Sequence, residues 1–312
     1  MLDTVCVGFP ISPTMTQLEK WSFFMSRYPN GAGKVSYRIS RKTEKGAVIK
    51  GIYYPSNERY SLPMTLFEFS PPKVLRGNNI DLINNEDELW EAILEANKSI
   101  RNIRIYPEVD IGLGQLTRLD VAYNYQVGEA VYEYIKALSN LEYSRRKTMP
   151  YLYEGVQYMS KSVTTKFYNK EGECRDSAAH GILRQETTMR HSNVISRQFT
   201  RVPTRLMDIE FDKCAVLLSN DLHMHGLENN PIYGKSNVHD ILLEAYGCKK
   251  GINLYGWWME RQTQNTEQLV KAGLKKKTIQ RNDNLIKDAG IPLTMSNTAV
   301  ILPPLVIRTK MS

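Results

Sequence analysis

Tyr168 stands between two lysines at alternate positions, Lys166 and Lys170. On a β-strand, where residues i and i+2 share a face, that spacing points all three the same way. The same alternation groups Arg184, Glu186, Thr188 and Arg190 on a second stretch. On a third it groups Arg118 with Asp120 and sends Leu119, Val121 and Tyr123 to the opposite face. Glu68 adds a carboxylate whose neighbours, Phe67 and Phe69, point away from it. If these strands are neighbours, one sheet face carries carboxylates, a tyrosine and several cations. That set suits metal-assisted phosphoryl transfer. Carboxylate oxygens hold Mg²⁺ or Mn²⁺, a tyrosine oxygen can attack phosphorus and stay bound to it, and Lys or Arg balances the charge that builds on the phosphoryl oxygens. A plain solvated sheet face, with opposite charges paired across strands, produces the same pattern.

Other constellations are weaker. His223-Met-His225 resembles the metal motif of HUH endonucleases, with Asp221 as a third ligand, but such a motif belongs on a strand and this one falls in a helix or loop. Surface or capping histidines are the simpler reading. Gly31-Ala-Gly-Lys-Val35 is not a phosphate-binding P-loop, because Val35 replaces the required Ser or Thr and the spacing of glycines is wrong. No G-x-S-x-G motif occurs. Cys6, Cys174, Cys214 and Cys248 are far apart, so neither a zinc site nor a redox pair is indicated and a reduced, cytoplasmic protein is expected.

The elements that must position these groups follow from periodicity. The N-terminus reads as a first strand rather than a signal peptide. Residues 35–70 read as β-hairpins, ended by Pro71-Pro72. Residues 86–100 form a helix with Leu89, Trp90, Ile93 and Leu94 at helical spacing, Asn85 as N-cap and Glu88 completing a capping box. Strands are expected at 116–123, 162–170 and 182–190, a helix at 129–141, and a polar loop at 171–181. Beyond about residue 206, helices dominate at 208–227, 236–246 and 252–288, the last with breaks at Gly273 and Asn282. Residues 298–308 read as a closing strand interrupted by Pro303-Pro304. The expected fold is α+β: a mostly antiparallel sheet with helices packed on one face, then a mainly helical C-terminal region. A boundary near 206 suggests a catalytic domain at 1–205 and a helical region at 206–312.

The 312 residues carry 41 Lys and Arg against 33 Asp and Glu, a net charge of +8. A basic balance favours a polyanionic partner. The hairpin at 34–50 contributes Lys34, Arg38, Arg41, Lys42 and Lys45. Residues 269–281 read as helix, glycine turn and basic helix, the rhythm of a helix-turn-helix, with Lys275, Lys276, Lys277, Gln280 and Arg281 available to phosphates or base edges. A solvated basic helix end gives the same string. No apolar run approaches the roughly 18 residues of a membrane span, so no membrane partner is expected.

Four stretches resemble the gene II/X family of replication initiators from filamentous phages and related plasmids. Ser70-Pro-Pro-Lys-Val-Leu-Arg-Gly-Asn-Asn79 matches S-P-x-K-V-L-x-G-x-N, the most specific of them. Thr117-Arg-Leu-Asp-Val121 matches an S/T-R-I/L-D strand, Phe167-Tyr-Asn-Lys170 a Y-x-K segment, and Leu183-Arg-Gln-Glu186 an R-x-E strand. A looser likeness covers residues 255–292 and Leu305-Val-Ile-Arg308. The resemblance implies a rolling-circle initiator that nicks and rejoins one strand through a 5′-phosphotyrosine. It implies Tyr168 as nucleophile, Asp120 and Glu186 as ligands of Mg²⁺ or Mn²⁺, and Lys170 and Arg184 as phosphate contacts. Glu68 is a further carboxylate for the metal, and Lys166 a further DNA contact. The implied partners are double-stranded origin DNA, single-stranded DNA at the nick, and a host helicase and polymerase in the bacterial cytoplasm. Gln185 departs from the family, where an aromatic residue is common, but it should lie opposite Glu186. Two other readings stay open: an HUH-type relaxase using His223 and His225, and a non-catalytic origin- or single-strand-binding protein. If Tyr168 is not the nucleophile, Tyr153 and Tyr158 are the alternatives.

Overall fold

The computed structural model describes residues 1–27, 33–55, 62–101, 109–143, 145–151, 154–295 and 301–308. The fold is α+β, with antiparallel strands, helices among them and a mostly helical C-terminal region. Its strands are β1 (Leu2–Phe9), β2 (Ser22–Arg27), β3 (Gly33–Lys42), β4 (Val48–Tyr54), β5 (Met64–Phe69), β6 (Gln115–Gln126), β7 (Lys147–Pro150), β8 (Gly155–Met159), β9 (Val163–Asn169) and β10 (Ile182–Met189). The early helices are α1 (Met15–Leu18), α2 (Pro71–Arg76), α3 (Glu86–Arg101), α4 (Val131–Leu138) and α5 (Lys170–Cys174). The later ones are α6 (Ser192–Phe199), α7 (Phe211–His223), α8 (Lys235–Arg261), α9 (Thr266–Lys271) and α10 (Lys276–Asp288).

The chain forms two compact units, 1–122 with 188–214, and 123–187 with 215–312. In the first, the strand order is β2-β3-β4-β5-β1-β6. One face is apolar: Val5, Val7, Ile49, Phe67, Phe69, Leu119 and Val121 are all buried, and α2 packs against β1. The most specific sequence motif turns out to build this packing. Ser70 precedes a helix that opens on Pro71-Pro72, where the missing N–H costs nothing. The helix ends on Gly77 at φ +81°, whose N–H bonds the Lys73 carbonyl. Asn79 then reaches the buried Asp3 carboxylate on β1 at 2.9 Å. The capping of α3 also holds, since Asn85 accepts from the Glu88 N–H at 2.9 Å, although Glu88 reaches back to the Asn84 N–H instead of that of Asn85.

In the second unit the order is β10-β9-β8-β7, with the last residues of β6 beside β10 through Tyr125–Gln185 and Asn124–Arg184 hydrogen bonds. A core of Val131, Tyr134, Ile135 and Leu138 from α4 lies against Val156, Tyr158, Phe167 and Leu183 from the sheet. A second cluster joins α8 to α10 through Val238, Leu242, Leu254, Trp258 and Ile286. Within α8 the chain turns at Gly247, φ +73°, which explains why the sequence reads as two helices there.

Several expectations change. The 162–170 strand stops at Asn169, whose side chain accepts the Glu171 N–H, so Lys170 leaves the strand and opens a helix that runs into the stretch read as a polar loop. The expected 252–288 helix breaks after Arg261 and again at Gly273, φ +98°, but runs unbroken through Asn282, because Ile279, Asp283 and Ile286 bury one continuous face. The described part of the closing segment, 301–308, is not a strand. It makes isolated bridges, Leu302 to Ile232 and Leu305 to Glu228, and its two prolines lack the N–H groups a ladder needs.

Candidate active site

In the second unit, β9 and β10 are neighbours and their alternation is as expected. Phe167 enters the apolar core, whereas Tyr168 takes the other face, buried to 2% exposure. Its hydroxyl donates to Glu186 Oε2 at 2.9 Å, and Lys166 Nζ donates to Glu186 Oε1 at 2.6 Å. Both carboxylate oxygens therefore have a donor. Burial pushes the Glu186 carboxyl up. The charge and hydrogen bond of Lys166, the Tyr168 hydroxyl and the charge of Arg184 outweigh it, so the group titrates below the usual carboxylate range. The buried Arg184 donates from Nε to Asn124 Oδ1 at 2.8 Å. Tyr151 lies beside Tyr168, ring centroids 5.2 Å apart, with Lys166 Nζ 4.8 Å above the Tyr151 ring. Lys170 is fully buried and its ammonium is held by Glu173.

The opposite face of the same strands carries a different polar set. Thr165 and Thr187 donate to Asp221 Oδ2 at 2.7 and 2.9 Å, and Arg146 bonds Thr165 Oγ1 at 2.7 Å. Gln185 accepts from Tyr125 Oη and donates to the Leu218 carbonyl. Gln185 thus lies opposite Glu186, as expected, and its amide is satisfied where an aromatic ring would simply fill space. Asp221 is engaged by threonines and an arginine, not by histidines. His223 ends α7, exposed, against Glu228 at 3.2 Å. His225 is buried on the Tyr143 ring, centroids 3.8 Å apart. Burial, with Lys287 and Arg146 nearby, lowers its pKa to about 3. The two imidazoles do not share a strand face. Tyr158 is buried with its hydroxyl on the Leu138 carbonyl, and Tyr153 falls outside the described residues.

In the first unit, backbone register sets Lys50, Glu68, Cys6 and Arg118 in one row across β4, β5, β1 and β6. Lys50 Nζ lies 2.9 Å from Glu68 Oε1, and Arg118 Nη1 lies 3.2 Å from Glu68 Oε2. The same guanidinium grips the buried Asp120 through two bonds, 3.1 and 2.6 Å. Two-point contact fixes the Asp120 carboxylate plane as well as its charge. The expectation that Arg118 and Asp120 share a face is met. Lys50 was not anticipated, since only register reveals that it faces Glu68.

Glu68, Asp120 and Glu186 offer the hard oxygens that Mg²⁺ and Mn²⁺ take. Each also faces a protein cation, so an ion would enter by exchange with Lys50, Arg118 or Lys166. Among the described residues no three His, Cys, Asp or Glu side chains are grouped as a metal ion requires.

Of the expected DNA contacts, Lys166 is largely buried against Glu186 and the others are on the surface. Arg38, Arg41 and Lys42 are exposed on β3, although pairing places Arg41 opposite the other two. Only the backbone of Lys34 is described. Lys275, Lys276, Lys277 and Arg281 are exposed at the start of α10, after α9 and the Gly273 turn. The first turn of α10 contains no acidic residue, and lysines there oppose the positive end of the helix dipole. A fold optimised for stability alone would not gather them at that end. No helix among the described residues is long and apolar enough to cross a membrane.

Residues 40–224, more than half the chain, match the family model for the N-terminal part of the phage gene II replication-associated protein. The match takes in Glu68, Asp120, Tyr168, Lys170, Arg184 and Glu186. No curated protein matches the chain.

Proposed function

From the premise that the chain belongs to this gene II family of phage replication initiators, we propose that it nicks and rejoins origin DNA with Tyr168 as the nucleophile. The observation that carries the proposal is the Tyr168 hydroxyl bonded to Glu186, itself neutralised by Lys166, on the sheet face away from the core.

In the forward step Tyr168 Oη bonds to phosphorus and the bond from phosphorus to the 3′ oxygen breaks. The 5′ phosphate stays on the tyrosine. A carboxylate held below its usual range is a weak base toward a phenol, so the resting hydrogen bond aims the oxygen. The proton leaves only as the new bond forms, and it ends on the departing 3′ oxygen. The phosphodiester energy is kept in the tyrosyl ester, so a later 3′ hydroxyl reverses the step without a nucleotide. Lys166 and Arg184 supply positive charge to the phosphoryl oxygens. Lys170 joins them if phosphate displaces Glu173 from its ammonium. Mg²⁺ or Mn²⁺ belongs to the proposal as a cofactor that would polarise the scissile phosphate; Glu186 or, in the first unit, Asp120 with Glu68 would hold it once the facing cation gives way. Tyr168 is buried, with Tyr151 beside it, so DNA reaches its hydroxyl only once that burial is relieved.

Contact with origin DNA is assigned to the exposed lysines and arginine of α10, and Arg38, Arg41 and Lys42 are further DNA contacts. Incubation with a labelled origin oligonucleotide and Mn²⁺ tests the chemistry. The wild type should give a covalent 5′-linked adduct, and Tyr168→Phe should give none while still binding the origin. An adduct in that variant moves the nucleophile elsewhere. Binding without cleavage under any metal would instead make the protein a non-catalytic origin binder, the reading that the basic helix alone would satisfy.

A further inference from the structure

β2 is the outer strand of the first unit, and it carries Phe24 at 44% exposure. The Arg38 guanidinium lies over that ring, 4.5 Å from its centroid. Register fixes which groups share their face. Ser22 pairs with Arg38 and Phe24 with Ser36. Arg38 pairs with Ile52, Ser40 with Lys50 and Lys42 with Val48. Phe24, Arg38, Lys42 and Lys50 therefore stand on one side, the side that also carries Glu68 and Arg118 across β5, β1 and β6. Adjacent strands are about 4.8 Å apart, so the track from β2 to β6 spans roughly 24 Å.

We propose that this face is a stacking platform for single-stranded DNA. A base stacks on Phe24 as the Arg38 guanidinium gives up the ring face to the adjoining phosphate, and the sugar-phosphate backbone runs over Lys42 and Lys50 toward Arg118. The inference rests on the DNA reading above and names the form of DNA and the surface that takes it. Two features select the occupant. β2, β3 and β4 contain no acidic residue, and Arg38, Arg41, Lys42 and Lys50 stand exposed on β3 and β4. A second copy of the chain pairing along the β2 edge would set these charges against one another, whereas a polyanion neutralises them. An exposed aromatic next to such charge favours unpaired bases, because a duplex hides the base faces that stacking uses. Stacking tolerates any base, so the platform holds the strand without reading its sequence.

The test is fluorescence anisotropy with a short labelled oligothymidylate and with a duplex of equal length. Phe24→Ala should weaken binding to the single strand by roughly 5- to 150-fold, the span seen when one stacking aromatic is removed. Phe24→Trp should restore it, and duplex affinity should not change. Phe24→Leu separates stacking from greasiness and should behave like Phe24→Ala. Unchanged single-strand affinity in Phe24→Ala overturns the platform. So does a Phe24→Leu variant that binds like the wild type. A Phe24→Ala variant that alters oligomeric state by light scattering but keeps DNA affinity makes the patch an interface between copies instead. If the wild type binds neither DNA, the parent reading fails, an outcome distinct from loss in the variant alone. Phe24 is exposed and outside the catalytic machinery, so thermal unfolding of each variant should match the wild type.

Discussion

The Tyr168 hydroxyl and the Glu186 carboxylate meet at 2.9 Å across two neighbouring strands, in a spot where neither side chain is open to solvent. A buried carboxylate survives there because Lys166 and Tyr168 occupy its two oxygens. That arrangement makes the buried ion pair beside the tyrosine a fragile part of the site.

Lys166→Met tests that fragility. It keeps most of the unbranched side chain but removes the ammonium and leaves Glu186 buried without its cation. Breaking one side of a buried pair costs about 3–5 kcal/mol. Urea unfolding should show a loss of that order, and the double variant Lys166→Met/Glu186→Gln should recover much of it. Equal stability of the single variant and the wild type would mean that the pair is solvated in solution.

Glu186 also predicts a pH dependence. Its folded pKa lies below its unfolded one, so the folded state holds the charged form more tightly. The stabilisation is complete above the unfolded value, near 4.3, and is lost as pH falls through the lower folded value. Thermal unfolding across acid pH should therefore show a steeper decline in the wild type than in Glu186→Gln. Parallel curves would count against the shift.

His225 acts in the same acid region by the other route. Its folded pKa of about 3 lies below the unfolded value near 6.5, so protons bind the unfolded chain first. Above pH 6.5 the group has no effect. Below it, each pH unit costs about 1.4 kcal/mol until the folded value is reached. His225→Phe, which keeps a ring against Tyr143, should flatten stability over that window. An unchanged acid limb would show that the imidazole protonates in place.

The α10 lysines predict opposite effects on stability and binding. Replacing Lys275, Lys276 and Lys277 by Ala removes cations from the positive end of a helix dipole, so the melting temperature should hold or rise. Affinity for duplex DNA should fall. The slope of log affinity against log salt should shrink by about 0.9 for each lysine that contacts a phosphate. An unchanged slope would place the duplex contact elsewhere.

Some of this is legible in the sequence. Alternation alone put Tyr168 opposite Phe167, Glu186 opposite Gln185, and Arg118 beside Asp120, because side-chain parity is a local property of an extended chain. The S-P-P-K-V-L-R-G-N-N stretch marked the family. Only the structure revealed that it serves as architecture, through the Gly77 turn and the Asn79 bond to Asp3. Lys170 could not be read correctly, since a capping asparagine one residue earlier ended the strand.

The sequence by itself determined which residues share a strand face, where the basic helix begins and which family the chain resembles. These depend on spacing of a few residues, and the backbone period enforces them. Tertiary structure decided which charge answers which. It gave Lys166 to Glu186, Arg118 to Asp120, Lys50 to Glu68, and Asp221 to two threonines instead of two histidines. It also buried Tyr168. Those outcomes depend on strand order and register between segments far apart in the chain, and no local period encodes them.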